Sequence, residues 1–324
     1  MDQNLDFREV IKEELEQFDV YLTEALKSNN HRVSDIVNHA FKVEGKRIRP
    51  TLVLLVAKAC GGVSTGSYHG AVTVELLHTA TLVHDDVIDE SLMRRGQASV
   101  NALFDNQRSV LGGDYLLSTA ILQSVKTGNM EIVEIISELG KNLSEGELDQ
   151  FALANEVIID EAEYFEVINK KTASLLYACA KIGAITGGAS RHNIEEFGRM
   201  GRYLGIAFQI RDDIFDYYNN DVGKPTGNDI REGKITLPLI YALQNCDEAT
   251  RVSMMDIITS RDYTTDNIDR LLSFAKEQGG VDYAYKKLNS CLLEAEKIVD
   301  DTTMDNDYKE VLKLLFTYLK ERKY

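Results

Sequence analysis

The sequence contains no tryptophan and only three prolines among its 324 residues. Proline makes up about 1% of the chain, where about 5% is usual, and no stretch rich in proline, glycine and serine separates two halves. These absences favour a single domain over residues 1–324, although the length would suffice for two. Because 44% of the residues are hydrophobic, the chain can bury a large core, which excludes a mainly disordered protein.

Closely spaced cysteines and long hydrophobic runs are also missing. The four cysteines lie too far apart for the CxxC spacing of metal or redox sites, and a chain of this size does not need disulfides. The longest hydrophobic run covers residues 52–57, far short of the ~20 residues that span a bilayer. The acidic first residues show no signal-peptide pattern. We therefore expect a soluble, cytoplasmic protein with no membrane span.

Positive charge is scarce. The chain has 36 lysines and arginines against 52 aspartates and glutamates, which gives a net charge of −16. This balance argues against nucleic acid as a partner, because the phosphates of nucleic acids are neutralised by basic side chains. An anionic substrate would need a local basic patch or bound cations.

Hydrophobic residues recur with the period of an α-helix along most of the chain, and no convincing strand pattern appears. Two segments, at residues 69–89 and 198–218, are apolar nearly all round, which is typical of helices buried in a bundle. Pro50 is suited to the first position of a helix that follows the polar loop 44–49. The pattern predicts an all-α fold of about a dozen helices.

Each of the two buried helices ends in the pattern DDxxD, formed by Asp85, Asp86 and Asp89 in the first copy and by Asp212, Asp213 and Asp216 in the second. Residues four apart share a helix face, and carboxylates near the negative end of a helix dipole repel one another. A divalent cation would hold such a cluster together, and oxygen ligands select Mg²⁺ over zinc. One acidic helix end is usually only solvated, but two copies predict metal sites that face each other across a cavity.

Basic residues stand beside both motifs, where a phosphate site would need them: Lys46, Arg47 and Arg49 before a helix start, Arg94 and Arg95 after the first motif, and Lys224 and Lys234 after the second. The free N–H groups of a helix start also favour anions. Each residue alone is typical of a protein surface. Their common placement in an acidic protein predicts a cradle for a diphosphate.

These motifs resemble the trans-isoprenyl diphosphate synthases, also called polyprenyl synthetases. The similarity covers most of the chain, from GKRIRP (45–50) through ELLHTATLVHDDVIDESLMRRG (75–96), GGDYLL (112–117), KTASLL (171–176) and FQIRDDIFDY (208–217) to DVGKPTGNDIREGKITLPLI (221–240). The resemblance implies a single large helical bundle around a deep central cavity, active as a homodimer with about three Mg²⁺ ions per active site. It also implies the reaction. An allylic diphosphate ionises, the double bond of isopentenyl diphosphate attacks the cation, and a proton is lost.

The resemblance further implies roles for individual residues. The metal ligands would be Asp85, Asp86, Asp89, Asp212 and Asp213, with Asp216 behind them. The allylic diphosphate would be bound by Arg94, Lys171, Lys234 and Lys224, and isopentenyl diphosphate by Lys46, Arg49, His78 and Arg95. Thr172 and Gln209 would turn oxygen dipoles towards the carbocation. Cations would stabilise the charge on the departing diphosphate, which itself takes the proton.

Product length is expected to depend on the helix before the first motif, at Leu77, Ala80 and Thr81. Relatives that stop at short products have an aromatic residue at this level, and one class also has a two-residue insertion in the motif. This sequence has neither feature. Because residues 70–85 form ~22 Å of helix, a long all-trans product of about C35–C45 is predicted, with octaprenyl as the central expectation.

Farnesyl or geranylgeranyl diphosphate would be the primer, and the product would become the side chain of a respiratory quinone. Its apolar character predicts transient contact with a membrane surface during release. Two alternatives remain within the family, a short-chain farnesyl or geranylgeranyl diphosphate synthase and the catalytic subunit of a two-component heptaprenyl-type synthase. The six aspartates disfavour a non-catalytic regulatory subunit, and the GKRIRP loop disfavours a terpene cyclase.

Overall fold

The computed structural model describes residues 7–43, 45–157, 159–218 and 226–321. Within these ranges lie sixteen α-helices, more than the dozen predicted: α1 (Lys12–Ala25), α2 (His31–Ala40), α3 (Ile48–Cys60), α4 (Thr65–Ile88), α5 (Val100–Phe104), α6 (Asn106–Lys126), α7 (Met130–Glu156), α8 (Glu161–Ile168), α9 (Ser174–Thr186), α10 (Arg191–Phe215), α11 (Asn228–Arg231), α12 (Leu237–Gln244), α13 (Glu248–Ser260), α14 (Thr265–Glu277), α15 (Gly280–Asp301) and α16 (Asn306–Glu321). A 3₁₀ turn (Glu9–Ile11) precedes α1, and a π-helical turn (Asn169–Ala173) lies between α8 and α9. The all-α prediction is confirmed. Among the helices of the described ranges, none is long and apolar enough to cross a bilayer.

One feature of the fold is not helical. Strands β1 (Met93–Arg94) and β2 (Gln97–Ala98) form an antiparallel hairpin, which the sequence pattern did not predict. Strands of two residues are too short to show an alternating pattern. The turn residues Arg95 and Gly96 have φ angles of 50° and 77°, as a two-residue type I′ turn requires.

Helix α3 begins at Ile48, so the prediction that Pro50 occupies the first helical position was wrong by two residues. Proline is still tolerated there, because the N–H groups of the first turn have no partner within the helix. Arg47, immediately before the helix, has a left-handed backbone with a φ of 56°. The chain therefore turns sharply at the basic loop before it enters α3.

The chain forms two compact units, and the first comprises Met1–Gly140, Ala178–Gly198 and Thr302–Leu314. Its central helix is α4, which packs against α1, α3 and α6 and is buried along most of its length. Gly70 on α4 permits the close approach of α9. A Cβ atom at Gly70 would lie 2.4 Å from Cγ2 of Ile182. Helix α4 is therefore apolar nearly all round because other helices pack against several of its sides.

The second unit comprises Lys141–Tyr177, Arg199–Asp301 and Leu315–Tyr324. Within it, α12 packs against α14 and α15, and the π-helical turn packs against α10. A Cβ atom at Gly205 of α10 would lie 2.3 Å from Cα of Ala173, so this crossing requires glycine. That the two units together constitute one domain stays a prediction.

Candidate active site

The first aspartate motif lies at the C-terminal end of α4, and its three carboxylates have different surroundings. Asp86 is buried, with 2% of its surface exposed, whereas Asp85 is half-buried and Asp89 is exposed. Arg94 on β1 donates from Nε to Oδ1 of Asp86 at 2.8 Å, and its Nη2 donates to the same oxygen. An arginine of the hairpin therefore neutralises the central aspartate, while its two neighbours are nearer to solvent.

The hairpin also brings Arg95 to the loop before α3. Nη1 of Arg95 donates to the backbone oxygen of Val43 at 3.4 Å. A Cβ atom at Gly45 would lie 3.1 Å from the same Nη1, so glycine leaves the space that this guanidinium occupies. The GKRIRP loop is thus a neighbour of the arginine pair after the first motif. The two segments are about 50 residues apart in sequence.

His78 on α4 lies among these cations. Burial lowers the pKa of His78 well below 6.5, and the positive charges of Arg49, Arg95 and Arg94 lower it further. The imidazole is therefore neutral near pH 7 and has one N–H to donate. Arginine forms strong bonds to phosphate oxygens, so three guanidinium groups around this imidazole suit an anionic substrate. Lys46 is exposed on the same loop.

Arg47, in the same loop, contacts two carboxylates of the protein. Its guanidinium lies 3.2 Å from Oδ1 of Asp19 on α1 and 3.6 Å from Oε1 of the buried Glu75 on α4. It also lies 5.3 Å from the centroid of the Phe18 ring. A buried carboxylate needs such a partner. Arg47 therefore anchors the loop, a role that its sequence position did not reveal.

The second aspartate motif lies at the C-terminal end of α10. The side chain of Asp212 is 32% exposed, with Nη2 of Arg211 at 3.4 Å. Asp213 is buried. Its Oδ2 accepts a hydrogen bond from the Tyr164 hydroxyl at 2.5 Å, and its Oδ1 accepts one from Nε2 of Gln209 at 2.8 Å. Burial raises the pKa of Asp213 to about 6, although both hydrogen bonds favour the charged form.

Asp216, the last aspartate of this motif, holds the next segment of the chain. Its carboxylate accepts the backbone N–H groups of Asn228 at 2.9 Å and Asp229 at 3.0 Å. Its backbone oxygen accepts the N–H of Gly227 at 3.0 Å. Asp216 therefore caps the start of α11 and orders the segment that leads to Lys234.

Lys171 and Thr172 lie in the π-helical turn, a kind of structure that is frequent at functional sites. Nζ of Lys171 is 2.5 Å from the carboxylate of Glu147 on α7. The hydroxyl of Thr172 donates to Oε1 of Gln209 at 2.7 Å. The predicted residues Thr172, Gln209 and Asp213 are thus brought together in one hydrogen-bonded chain.

Lys234 follows α11. Its Nζ is 2.6 Å from Oε2 of Glu232, and its backbone N–H donates to the carbonyl oxygen of Asp229 at 2.8 Å. The charge of Lys234 partly opposes the rise in the pKa of the buried Asp213, so this lysine lies near the second motif. Lys224, the other lysine predicted to bind the diphosphate, lies outside the described residues.

A cavity of about 160 Å³ opens beside the second motif, within the second unit. Its polar lining includes Tyr164, Lys171, Thr172, Gln209, Asp213, Asp229 and Lys234, and its apolar lining includes Leu153, Val167, Ile168 and Ile240. Asp229 and Tyr164 were not among the predicted site residues. Burial and the nearby charge of Asp213 raise the pKa of Asp229 to about 8. Its place in GNDIREGK, between the second motif and Lys234, was the signal available in the sequence.

The residues assigned to product length lie on α4, one to two turns before the first motif. Leu77 and Ala80 are buried, with 1% of their surface exposed, and Thr81 is half-buried. The Thr81 hydroxyl donates to the backbone oxygen of His78 at 2.9 Å. Their role in product length stays a prediction.

Both motifs offer only oxygen ligands, the donor set that Mg²⁺ prefers. Within the described ranges, no three histidine, cysteine, aspartate or glutamate side chains form a ready-made metal site. Mg²⁺ is commonly bound through one or two carboxylates together with substrate phosphates. The more accessible Asp85, Asp89 and Asp212 fit this mode of binding.

The chain is similar to known proteins over nearly its whole length. The sequence profile of the Polyprenyl synthetase family matches residues 30–274. The octaprenyl diphosphate synthase of Haemophilus influenzae is 37% identical over 284 residues, which are 86% of this chain and 85% of that protein. The crystal structure of a decaprenyl diphosphate synthase from Rhodobacter capsulatus matches with a TM-score of 0.92 and 34% identity, covering 97% of this chain and 98% of that one. A geranylgeranyl pyrophosphate synthase from Bacteroides thetaiotaomicron matches with a TM-score of 0.84 and 37% identity, covering 98% of both chains.

The range that the family profile matches contains both aspartate motifs and the basic residues around them. The family is in general dependent on Mg²⁺, which agrees with the oxygen ligands of the two motifs. The chain therefore belongs to the polyprenyl synthetase family and is a prenyltransferase with the all-α isoprenoid synthase fold.

Proposed function

We propose that this protein is an all-trans polyprenyl diphosphate synthase. It extends farnesyl or geranylgeranyl diphosphate with isopentenyl diphosphate units to a product of about C35–C45, with octaprenyl as the central expectation. The observation that carries the long product is the small size of Ala80 and Thr81 on α4, directly before the first motif. The similarity to an octaprenyl diphosphate synthase at 37% identity supports this choice.

Within each motif, the aspartates differ in whether they bind the metal directly. The more accessible Asp85, Asp89 and Asp212 bind Mg²⁺ directly, about three ions in all, as hard cations bind through one or two carboxylates each. Asp86 and Asp213, which the resemblance also implied as metal ligands, instead contribute negative charge, because their carboxylates already accept hydrogen bonds from protein groups. Asp216 orders the chain towards Lys234. When bound, Mg²⁺ neutralises the negative charge that develops on the diphosphate.

Cationic side chains hold the two substrates. The allylic diphosphate is bound by Arg94, Lys171, Lys234 and Lys224, and isopentenyl diphosphate by Lys46, Arg49, His78 and Arg95. The neutral His78 donates an N–H, and the three nearby arginines supply the charge. This arrangement stabilises the leaving group, so the bond from C1 of the allylic substrate to the diphosphate oxygen breaks and the electron pair leaves with the oxygen.

The double bond of isopentenyl diphosphate then attacks C1, and the departing diphosphate accepts the proton that is lost. Thr172 and Gln209 present oxygen atoms to the allylic cation. Both line the cavity beside the second motif. Each cycle lengthens the product by one five-carbon unit until the chain no longer fits along α4.

The protein acts as a homodimer in the cytoplasm. The dimer is supported by an exposed apolar stripe on α6 that includes Leu111, Ile121, Leu122 and Val125. Several exposed apolar side chains on one helix favour an interface. The product leaves through transient contact with a membrane surface and becomes a quinone side chain.

The test is the reaction itself. Purified protein is incubated with Mg²⁺, farnesyl diphosphate and radiolabelled isopentenyl diphosphate, and the dephosphorylated products are separated by reversed-phase chromatography. We expect a ladder that ends near eight units. Termination at three or four units would contradict the long product, and no incorporation would contradict a synthase that acts without a second subunit.

Two variants test the assignment of α4. Ala80→Phe is expected to shorten the product to about C15–C20, because one aromatic ring fills the space of several methylene groups. Thr81→Phe, at a half-buried position, is the second variant in case Ala80→Phe is poorly folded. An unchanged product in a folded variant would show that this face of α4 does not line the path of the product.

A further inference from the structure

Four side chains of the second unit form one continuous chain of hydrogen bonds. Thr172 donates to Gln209 at 2.7 Å, Gln209 donates to Asp213 at 2.8 Å, and Tyr164 donates to the other carboxylate oxygen of Asp213 at 2.5 Å. All four residues line the cavity beside the second motif. Tyr164 and Asp213 are buried, so the chain is anchored at its inner end.

The chemistry of these groups fixes the direction of each bond. An ionised carboxylate only accepts, so the Gln209 atom that faces Asp213 must be the amide nitrogen. The amide oxygen of Gln209 then faces Thr172, whose hydroxyl must donate to it. The hydrogen of Thr172 is therefore directed at Gln209, and the lone pairs of the Thr172 oxygen are left to face the cavity.

We propose that Tyr164 is a positioning residue that, through Asp213 and Gln209, turns the oxygen lone pair of Thr172 towards the allylic cation. The proposal rests on the proposed function, because it concerns the cation formed when the bond between C1 and the diphosphate oxygen breaks. Tyr164 does not touch the substrate in this scheme. It keeps Asp213 in place, and Asp213 keeps the Gln209 amide from rotating.

The packing around the chain supports a fixed geometry. Thr172 lies in the π-helical turn, which is confined by two glycines on neighbouring helices. A Cβ atom at Gly146 of α7 would lie 2.9 Å from the backbone N of Lys171, and one at Gly205 of α10 would lie 2.3 Å from Cα of Ala173. The turn therefore has little freedom to move, and the orientation of the hydroxyl is set by its hydrogen bond.

The consequence is a preference for positive charge in the cavity. An oxygen whose hydrogen points away presents the negative end of its dipole, which favours a cation over a neutral group of the same shape. Without the tyrosine hydroxyl, Asp213 loses one donor and the amide of Gln209 can rotate. The hydroxyl of Thr172 would then point its hydrogen into the cavity part of the time, and the preference would weaken.

The experiment measures this preference directly by isothermal titration calorimetry, with Mg²⁺ and inorganic pyrophosphate present. Two unreactive probes are compared, a farnesyl-chain ammonium compound that mimics the cation and its neutral carbon isostere. The readout is the dissociation constant of the neutral probe divided by that of the ammonium probe, so a larger ratio means a stronger preference for the cation. In Tyr164→Phe and Thr172→Val this ratio is expected to fall about tenfold, because the free energy of one hydrogen bond corresponds to about a tenfold change in a dissociation constant.

The chain offers a matched control in which a tyrosine of α15 bonds a carboxylate of α8. Tyr283 donates to both carboxylate oxygens of Glu161, in the first turn of α8, at 2.8 and 2.9 Å. Tyr283→Phe therefore removes a tyrosine–carboxylate bond from α8 without affecting Asp213, and its ratio is expected to match that of the unmodified protein. Thr172→Ser keeps the hydroxyl and is expected to keep the ratio as well, so it is the conservative control for Thr172→Val.

The outcomes separate this proposal from the proposed function. If Tyr164→Phe weakens both probes equally, Tyr164 has only a structural role and the proposal is overturned. An unchanged ratio in Thr172→Val would also overturn it, because the threonine oxygen would not face the cation. Either result would leave the elongation activity of the unmodified protein intact, whereas failure of the proposed function would appear as no elongation by that protein.

Discussion

The two DDxxD motifs have the same pattern but are held by different chemistry. In the first unit, the central Asp86 is paired with the guanidinium of Arg94. In the second unit, the central Asp213 accepts hydrogen bonds from the neutral groups of Tyr164 and Gln209. The last positions also differ, since Asp89 is exposed and Asp216 caps a helix. A sequence motif therefore does not specify how its members are used.

The difference concerns how a buried carboxylate is compensated. An arginine supplies a full opposite charge, whereas hydroxyl and amide donors supply only dipoles. This is why burial prevails at Asp213 and raises its pKa to about 6. The first motif is thus a charge-paired site beside the basic cradle, and the second is a site in which a hydrogen-bonded network holds the negative charge.

The largest expected effect separates the accessible aspartates from the central ones. In Asp85→Asn and Asp212→Asn, kcat is expected to fall by about 10³-fold, because each variant removes a direct ligand of Mg²⁺ at the leaving group. Steady-state kinetics over a range of Mg²⁺ concentrations provides the measurement. If the activity of Asp212→Asn returned fully at high Mg²⁺, Asp212 would be only one of several weak metal ligands.

The central aspartates are compared by stability. Asp86→Asn is expected to lower the free energy of unfolding by about 2 kcal/mol, because the buried position loses the charge-assisted hydrogen bonds from Arg94. Asp213→Asn keeps an oxygen acceptor and removes a charge whose burial is unfavourable, so a change of no more than about 1 kcal/mol is expected. Urea unfolding at pH 7 without Mg²⁺ measures both. Equal losses would contradict the distinction between charge pairing and neutral donors.

The pH dependence of stability should reveal the network of the second motif. The folded-state pKa of Asp213 is raised from 3.8 to about 6, so the folded protein binds an extra proton between these values. Its contribution to stability is therefore present below pH 4 and is lost as the pH rises to 6, by about 2 kcal/mol. Comparison of urea unfolding with Asp213→Asn, which cannot titrate, isolates this term. An opposite slope in the difference would contradict the raised pKa.

A smaller effect of opposite sign is expected in the first unit. The pKa of His78 is lowered in the folded protein, so the unfolded chain binds more protons below pH 6.5. Stability is therefore lost as the pH falls below 6.5, by at most about 1.4 kcal/mol per pH unit. The difference between the unmodified protein and His78→Gln from pH 7 to 5.5 measures this term. No difference would mean that the imidazole is accessible to protons in the folded state.

The helices could be predicted from the sequence because they depend on local patterns. The candidate aspartate and basic residues stood out for the same reason. Hydrophobic periodicity revealed α4 and α10, and the two motifs stood at their ends. The hairpin was missed because its fold depends on the turn at Arg95 and Gly96 rather than on an alternating pattern. Tyr164 was missed because its partner Asp213 is 49 residues away, and nothing local distinguishes it from an ordinary core tyrosine.

The division of roles within one motif can be tested most directly by binding. The measurement is the dissociation constant of an unreactive farnesyl thiolodiphosphate in the presence of Mg²⁺, compared between Asp212→Asn and Asp213→Asn. Asp212→Asn is expected to weaken binding about tenfold more than Asp213→Asn, because only the accessible aspartate binds the metal directly. Equal weakening, or the reverse order, would contradict this division of roles between Asp212 and Asp213.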